Sequence, residues 1–404
     1  MSAYRVVVPT GGNLEQLVAS APLGPFEPDV LDFIEEVSSS LLQLREARRY
    51  PELVAMAYWM RRANLQRLRA KLDGAECGGL RVARGLVFHI APANVDTLFV
   101  YSWFLSMLCG NTTLVRLSDK RTDQLELLIG LLEELLARPR HSQVARRVLI
   151  VRYGHDDVLT AEFSRLCDMR LIWGGDQTVG SIRRLPLRPT STELVFPNKF
   201  SMAWIDADEW CQQESASADR AAELFRADCY WFGQMACSSP RLVVWRAAAP
   251  ELLERARADF WARVGKSVRA SGSDLGPADY VNKLATACAL AIDAKVSLPP
   301  SVDNEVTRVW FEDLGEVDLE RHCGGGLFFE VAVESWEQLQ TLLDRRVQTV
   351  SCFGIEAAEL EQFVRGVRPK GIDRFVPFGK ALEFSEAWDG FELLRELSRV
   401  VSIL

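Results

Sequence analysis

Two hydrophobic rhythms divide the chain. Between Asp29 and Leu72 apolar residues recur at spacings of three and four, as Leu31, Ile34, Val37, Leu41, Leu42 and Leu44, with Arg and Glu on the other faces. That spacing predicts helix, preceded over residues 1 to about 25 by a strand or two with Gly-Pro turns. From Arg84 the rhythm becomes short apolar runs alternating with amphipathic segments. Strands are predicted at Leu86–Ile90, Thr112–Leu117, Val148–Arg152, Met169–Trp173, Thr192–Phe196 and Ser201–Ile205, with helices at Val95–Leu108, Asp123–Leu136 and Asp156–Leu166. Strand–helix alternation of this length implies a mostly parallel sheet with helices on both faces. Ligands of such sheets bind at the carboxyl ends of the strands. An acidic, alanine-rich helix over Glu209–Asp228 then leads into a second set: a strand at Leu242–Trp245, helices at Pro250–Val268 and Tyr280–Lys295, and strands near Val306–Phe311, Leu327–Val331 and Gln348–Phe353.

The 404 residues allow two or three domains and a sizeable core. A net charge of −8 argues against a nucleic-acid binder, which carries a basic face. Nine cysteines without a CxxC pair, and four histidines without ligand spacing, argue against a structural metal site and for reduced thiols in a cytoplasm. The stretch MSAYRVVVPTGGN lacks the apolar core of a secretory signal. Thr97–Val115 is uncharged, but Gly110-Asn111-Thr112-Thr113 cuts its apolar part to about a dozen residues, a buried helix rather than a bilayer crossing.

Four places can carry chemistry. In Trp231–Arg241, WFGQMACSSPR, Cys237 sits among small uncharged residues, where a thiolate could attack an acyl carbon and hold it as a thioester. Its ordinary reading is a buried packing cysteine. Asn94, in the strand-end break Pro92-Ala93-Asn94, can donate to a developing oxyanion or be a plain turn asparagine. Gly175 to Gly180 follows a strand and opens a helix, so its backbone N–H groups can meet a pyrophosphate, although it is not GxGxxG. Arg116, with Ser118 and Asp119 just beyond, can hold a ribose or its 2′-phosphate, or be surface charge.

Taken in order, these segments resemble the aldehyde dehydrogenase superfamily: a Pro-x-Asn turn, then Gly110-Asn111 with a strand ending Arg116-Leu117-Ser118-Asp119, a glycine turn from Gly175-Asp176 to Val179-Gly180, and Gly233-Gln234 to Cys237. More narrowly, Trp173-Gly174-Gly175-Asp176, Ala236-Cys237-Ser238-Ser239-Pro240, Asp373-Arg374-Phe375-Val376-Pro377 and Trp388-Asp389-Gly390 resemble the LuxC-type acyl-CoA reductases, over roughly residues 80–404. The resemblance implies an aldehyde-dehydrogenase-like α/β fold with a Rossmann-type cofactor domain and an α/β catalytic domain. Expected divisions are 1–84, a mainly helical segment; 85–205, the dinucleotide domain; 206–368, the cysteine domain; and 369–404, a completing segment.

It also implies a reaction: NADPH-dependent reduction of an acyl thioester, of CoA or a carrier protein, to an aldehyde, with NADH as the alternative reductant. Cys237 is the implied nucleophile and Asn94 its oxyanion donor, while Arg116, Ser118, Gly175, Asp176, Val179 and Gly180 contact the cofactor, and no metal takes part. Oligomerisation and an acyl-protein synthetase partner are implied by resemblance alone. The chain departs from hydrolytic dehydrogenases at Glu193-Leu194-Val195-Phe196-Pro197-Asn198-Lys199. Anchoring on Lys199 puts Val195 at the water-activating position and needs no downstream gap; anchoring on Glu193 keeps an acid but adds two residues. The first suits thiol exchange and the second a hydrolytic dehydrogenase. A third reading is a non-catalytic scaffold. The family's ribose-contacting Glu has no clean match; His322-Cys323-Gly324-Gly325-Gly326 occupies its neighbourhood.

Overall fold

A computed structural model describes residues 4–74, 79–92, 97–272, 275–300 and 304–403. The chain forms two compact units, Met1–Asn198 with Phe384–Leu404, and Lys199–Glu383.

The first unit contains β1 (Arg5–Val8), β2 (Gly79–Ala83), β3 (Leu86–Ile90), β4 (Thr112–Leu117), β5 (Val148–Arg152), β6 (Met169–Trp173) and β7 (Thr192–Phe196). Among the described residues its main sheet runs β1-β5-β4-β3-β6-β7. Every pair is parallel except β1 with β5. Every residue of β3, β4, β5 and β6 is buried, which is why they read as mainly apolar runs rather than strict alternation. The strand order reverses direction around β3, with β4 and β5 on one side and β6 and β7 on the other, and such a reversal opens a crevice at the strands' carboxyl ends.

Leu98–Leu108 is a buried helix of 11 residues. Gly110 ends it at φ +85, where a Cβ would lie 2.1 Å from the Leu23 carbonyl oxygen, so the close approach requires glycine. Among the described residues no helix is long and apolar enough to cross a membrane. The long N-terminal helix read from the apolar spacing is instead three, Pro28–Gln43, Pro51–Trp59 and Arg62–Asp73. Pro51 sets where the second begins, because it takes the first helical position and holds Tyr50 in extended backbone. Trp388-Asp389-Gly390 makes a hairpin turn between Ala387–Trp388 and Phe391–Glu392, with Asp389 at φ +51 and Gly390 at φ +80. Two successive left-handed residues are the mark of a type I′ turn, hence the Asp-Gly.

His89 on β3 is 1% exposed. Its Nδ1 lies 2.7 Å from the Ser102 hydroxyl, which also accepts from the Trp173 indole at 3.2 Å. Burial pushes its pKa from 6.5 down to about 3. The unfolded chain therefore takes up this proton near pH 6.5 and the folded chain does not, so His89's contribution is complete above that pH and declines below it. Between pH 6 and 4 the wild type should lose about 1.4 kcal/mol per pH unit more than His89→Gln, measured by urea unfolding.

The second unit contains β8 (Phe200–Asp206), β9 (Pro240–Arg246), β10 (Val296–Ser297), β11 (Thr307–Phe311), β12 (Leu327–Val333), β13 (Val347–Phe353) and β14 (Arg374–Pro377). Its sheet runs β10-β11-β12-β9-β8-β13-β14 among the described residues, parallel except for β10 with β11. Helices Ser215–Tyr230 and Pro250–Ser271 cover one face through Phe225, Phe260 and Trp261. Trp204, Trp336 and Phe363 fill the other, the two indoles stacked at 4.9 Å. Asp373-Arg374 fastens the edge strand: Asp373 pairs with Lys199 at 3.1 Å, and Arg374 donates to the Thr349 hydroxyl at 2.8 Å. Both members of the Lys199–Asp373 pair are buried.

Candidate active site

Helix Ser215–Tyr230 delivers the chain to the cysteine loop. Gly233 at φ +55 and Gln234 at φ +64 reverse it. A left-handed glutamine is uncommon and needs support, which its side chain supplies from a position only 1% exposed. Its Nε2 donates to the Pro240 carbonyl at 2.8 Å, and its Oε1 accepts from Gly326 N–H at 3.0 Å. The amide thus ties the two ends of the loop together and binds both to the glycine triplet. Gly324, Gly325 and Gly326 all have positive φ, and Gly325 N–H donates to Gly233 O at 2.9 Å. A Cβ at Gly324 would meet the Met235 sulfur at 2.7 Å, and one at Gly326 the Glu305 carbonyl at 2.3 Å. The segment that stands where the family's ribose contact is expected therefore clasps the cysteine loop.

The backbone of Cys237 is fixed from beneath. The Ser201 hydroxyl donates to its carbonyl at 2.7 Å and itself accepts from Thr349 N–H at 3.1 Å. Ser239 donates to the Asp228 carbonyl at 2.7 Å. The Asp228 carboxylate takes N–H groups from Gly379 and Ala381, while burial pushes its pKa up to about 7. Cys237 is partly exposed, whereas Cys109, Cys167 and Cys229 are buried. Burial pushes the Cys109 and Cys167 thiols up to about 12 and Cys229 well above its ordinary range, so these are packing residues. His322 cannot serve as a base here. One ring nitrogen faces the Leu327 carbonyl at 2.7 Å and the other accepts from Gly324 N–H at 3.1 Å, and burial together with the Arg241 charge pushes its pKa down to about 3.

In the first unit a cleft of about 210 Å³ opens at the carboxyl ends of β3, β4 and β5, lined by Ile90, Arg116, Gly154, Thr160, Thr178 and Ser181, among others. Arg116 is 9% exposed and spends one hydrogen bond on the Gly154 carbonyl, at 3.1 Å. Ser118 lies just past β4, partly exposed. Gly175 caps helix Asp176–Arg183, and the Asp176 carboxylate accepts from Asn198 N–H at 3.0 Å. Val179 packs into the core under the cleft, and Gly180 is exposed, with nothing within 4 Å of a Cβ there. Gln177, Thr178 and Ser181 supply the helix's polar wall. The sequence located this turn, but one turn of helix decides which side chains face the cleft, and the motif alone does not encode that. Asn94 lies outside the described residues.

Glu193 is second in β7, paired in register with Arg170, the second residue of β6. Its carboxylate is bound by the Arg170 guanidinium at 2.8 Å and by Arg183 at 3.0 Å. It therefore stands near the amino end of the sheet, away from the ligand-binding edge. Val195, two residues on and on the same face of the strand, stands nearer the carboxyl end.

This arrangement of two parallel sheets belongs to a known class. Aldehyde dehydrogenase 21 from Physcomitrella patens, in complex with its reaction product succinate, is similar with a TM-score of 0.65 at 12% identity, over 90% of this chain and 81% of that one. Mycobacterium tuberculosis aldehyde dehydrogenase complexed with NAD+ gives 0.64 at 14% identity, over 95% and 87%. An NAD-dependent benzaldehyde dehydrogenase from Corynebacterium glutamicum gives 0.60 at 15% identity, over 93% and 84%. The fold is aldehyde-dehydrogenase-like. Among curated proteins none matches this chain in sequence. The sequence profile of the acyl-CoA reductase (LuxC) family matches residues 33–400, and the chain belongs to that family. It is an oxidoreductase of the acyl reductase and aldehyde dehydrogenase type, as the resemblance implies.

Proposed function

We propose that the protein reduces an acyl thioester to an aldehyde through a thioester on Cys237. One observation carries the choice over hydrolysis: the nearest candidate base in sequence, Glu193, is held by two arginines while Val195 takes the later position on the strand. The Cys237 thiolate attacks the acyl carbon, the carbon–sulfur bond to the carrier breaks, and the carrier leaves as a thiol after taking a proton. Asn94 and the Cys237 N–H donate to the oxyanion. Among the described residues the segment Trp231–Pro240 carries no carboxylate, and both ring nitrogens of His322 are bonded, so water is not activated there and the acyl group waits for reduction. A bound reduced nicotinamide supplies the hydride. Cys237 then departs from the acyl carbon as the aldehyde carbonyl forms.

The cleft fits such a cofactor. Arg116 keeps guanidinium donors beyond its hydrogen bond to the Gly154 carbonyl, and Ser118, Gly175, Asp176, Val179 and Gly180 border the same strand end and helix start. NADPH follows from the resemblance. NADH is the second reading, and a specific observation favours it: Asp119 lies against Gly154, where a Cβ would be 2.8 Å from its carboxylate, and interacts with Arg116. A carboxylate there suits ribose hydroxyls over a 2′-phosphate. The described cysteines form no disulfide, which supports a reducing, cytoplasmic setting. Self-association and an acyl-protein synthetase partner complete the proposal from family resemblance.

With long-chain acyl-CoA and either NADPH or NADH, the product should be aldehyde, and Glu193→Gln should leave both rate and product within about twofold, because a residue outside the site changes transition-state stabilisation little. Carboxylic acid formed from aldehyde and NAD, and lost in Glu193→Gln, would establish the hydrolytic reaction instead.

A further inference from the structure

Arg241 is the second residue of β9, and the pairing with β8 is irregular there. Ser201 pairs with Pro240 and Met202 with Leu242, which leaves Arg241 as the extra residue. Bulges of this kind re-aim a side chain, often beside an active site. The pairing of β9 with β12 starts only at Leu242, so Arg241 stands outside both ladders. Its Nε–H is buried without a hydrogen-bond partner among the described residues. No described carboxylate lies within ion-pair distance of it; the groups its charge reaches are the sulfurs of Cys237 and Cys323 and the ring of His322.

A guanidinium stays charged in a protein, and a buried charge is costly until something answers it. His322 is neutral, with both ring nitrogens bonded. The Cys323 thiol has an acceptor for its proton in the Gly324 carbonyl, 3.7 Å away. On the other packed elements, Asp228 is occupied by the N–H groups of Gly379 and Ala381, and Asp279 by that of Gly276. Cys229 is a buried, protonated thiol.

We propose that Arg241 is a positioning residue that holds the Cys237 sulfur as a thiolate at neutral pH, the bulge in β9 being what turns it toward that sulfur. The inference rests on Cys237 as the attacking group. It explains how the loop keeps a nucleophile ready without a histidine base, since a fixed cation lowers the cost of the anion without offering a proton acceptor to water.

The test is the pH dependence of iodoacetamide alkylation of Cys237, followed by peptide mass mapping so that Cys323 is read separately. In the wild type the midpoint should lie at least about one unit below the ordinary thiol value of ~8.5. Arg241→Gln should raise it by about one unit or more, slowing alkylation at pH 7 about tenfold while leaving the high-pH limit unchanged. Arg241→Lys should restore most of the shift. A wild-type midpoint at or above ~8.5 overturns the inference even if Arg241→Gln does not fold, and so does an unchanged midpoint in a folded Arg241→Gln. Acylation by acyl-CoA is scored in parallel. Acyl transfer with an unmoved midpoint removes the role of Arg241 and leaves the reductase reading standing, whereas a moved midpoint without acyl transfer does the reverse.

Discussion

Cys237→Ala should abolish aldehyde formation from acyl-CoA, with a fall of at least about 10⁴-fold, the scale seen when a covalent nucleophile is removed. The loss belongs to this sulfur and not to cysteines in general. The loop that carries it is held by Gln234, Ser201 and the glycine triplet through contacts that do not involve its side chain, so the substitution should leave the fold intact. Cys229→Ala, eight residues earlier in a fully packed site, should instead lower stability and leave the rate per folded molecule within about twofold. Quenched aldehyde assays with urea unfolding of both variants separate the two effects. A Cys237→Ala enzyme with near-normal turnover would remove the covalent route.

The largest effect on stability should come from Glu330→Ala. Glu330 lies on β12 with no exposed surface. Its carboxylate accepts from the Trp245 indole at 3.0 Å, the Trp261 indole at 2.8 Å and the Arg257 guanidinium at 3.2 Å, with Arg308 at 3.6 Å. Removing the carboxylate leaves two indole N–H groups without their acceptor and takes the buried counter-charge from Arg257 and Arg308, which then keep Glu254 and the Pro300 carbonyl as partners. Breaking one side of a buried ion pair costs about 3–5 kcal/mol. Glu330→Gln keeps one acceptor and should cost about 1–3 kcal/mol. Urea unfolding of the whole chain, followed by tryptophan fluorescence, reads both values; a cost below ~1 kcal/mol for the alanine variant would show that the site relaxes around the loss.

These two residues also show what a sequence discloses. β3 to β6 were legible because strands buried on both faces are mostly apolar, although His89, Arg116, Arg152 and Arg170 are buried within them. Cys237 was singled out by its order behind three other segments rather than by its own surroundings. Glu330 interrupts the apolar run Leu327–Val333, and that acid was the available sign of an internal ion pair, but its partners come from β9, β11 and helix Pro250–Ser271, which no local pattern connects. Arg241 left no periodic trace at all, because a bulge is a disagreement between two strands and one strand's pattern cannot show it. Pro51 was a visible signal, and the long-helix reading yielded to it in the structure. The return of Phe384–Leu404 to the first unit is likewise set by pairing, the strand Ser398–Ser402 lying antiparallel to β2.

The most direct measurement is intact mass. The wild-type protein is incubated with a long-chain acyl-CoA, and reduced nicotinamide is added only after the first reading. The chain should gain the mass of one acyl group, mapped to the Cys237 peptide, and lose it on reduction as one equivalent of aldehyde appears. An unmodified chain that still yields aldehyde, or an acyl group fixed to another cysteine, would contradict the account.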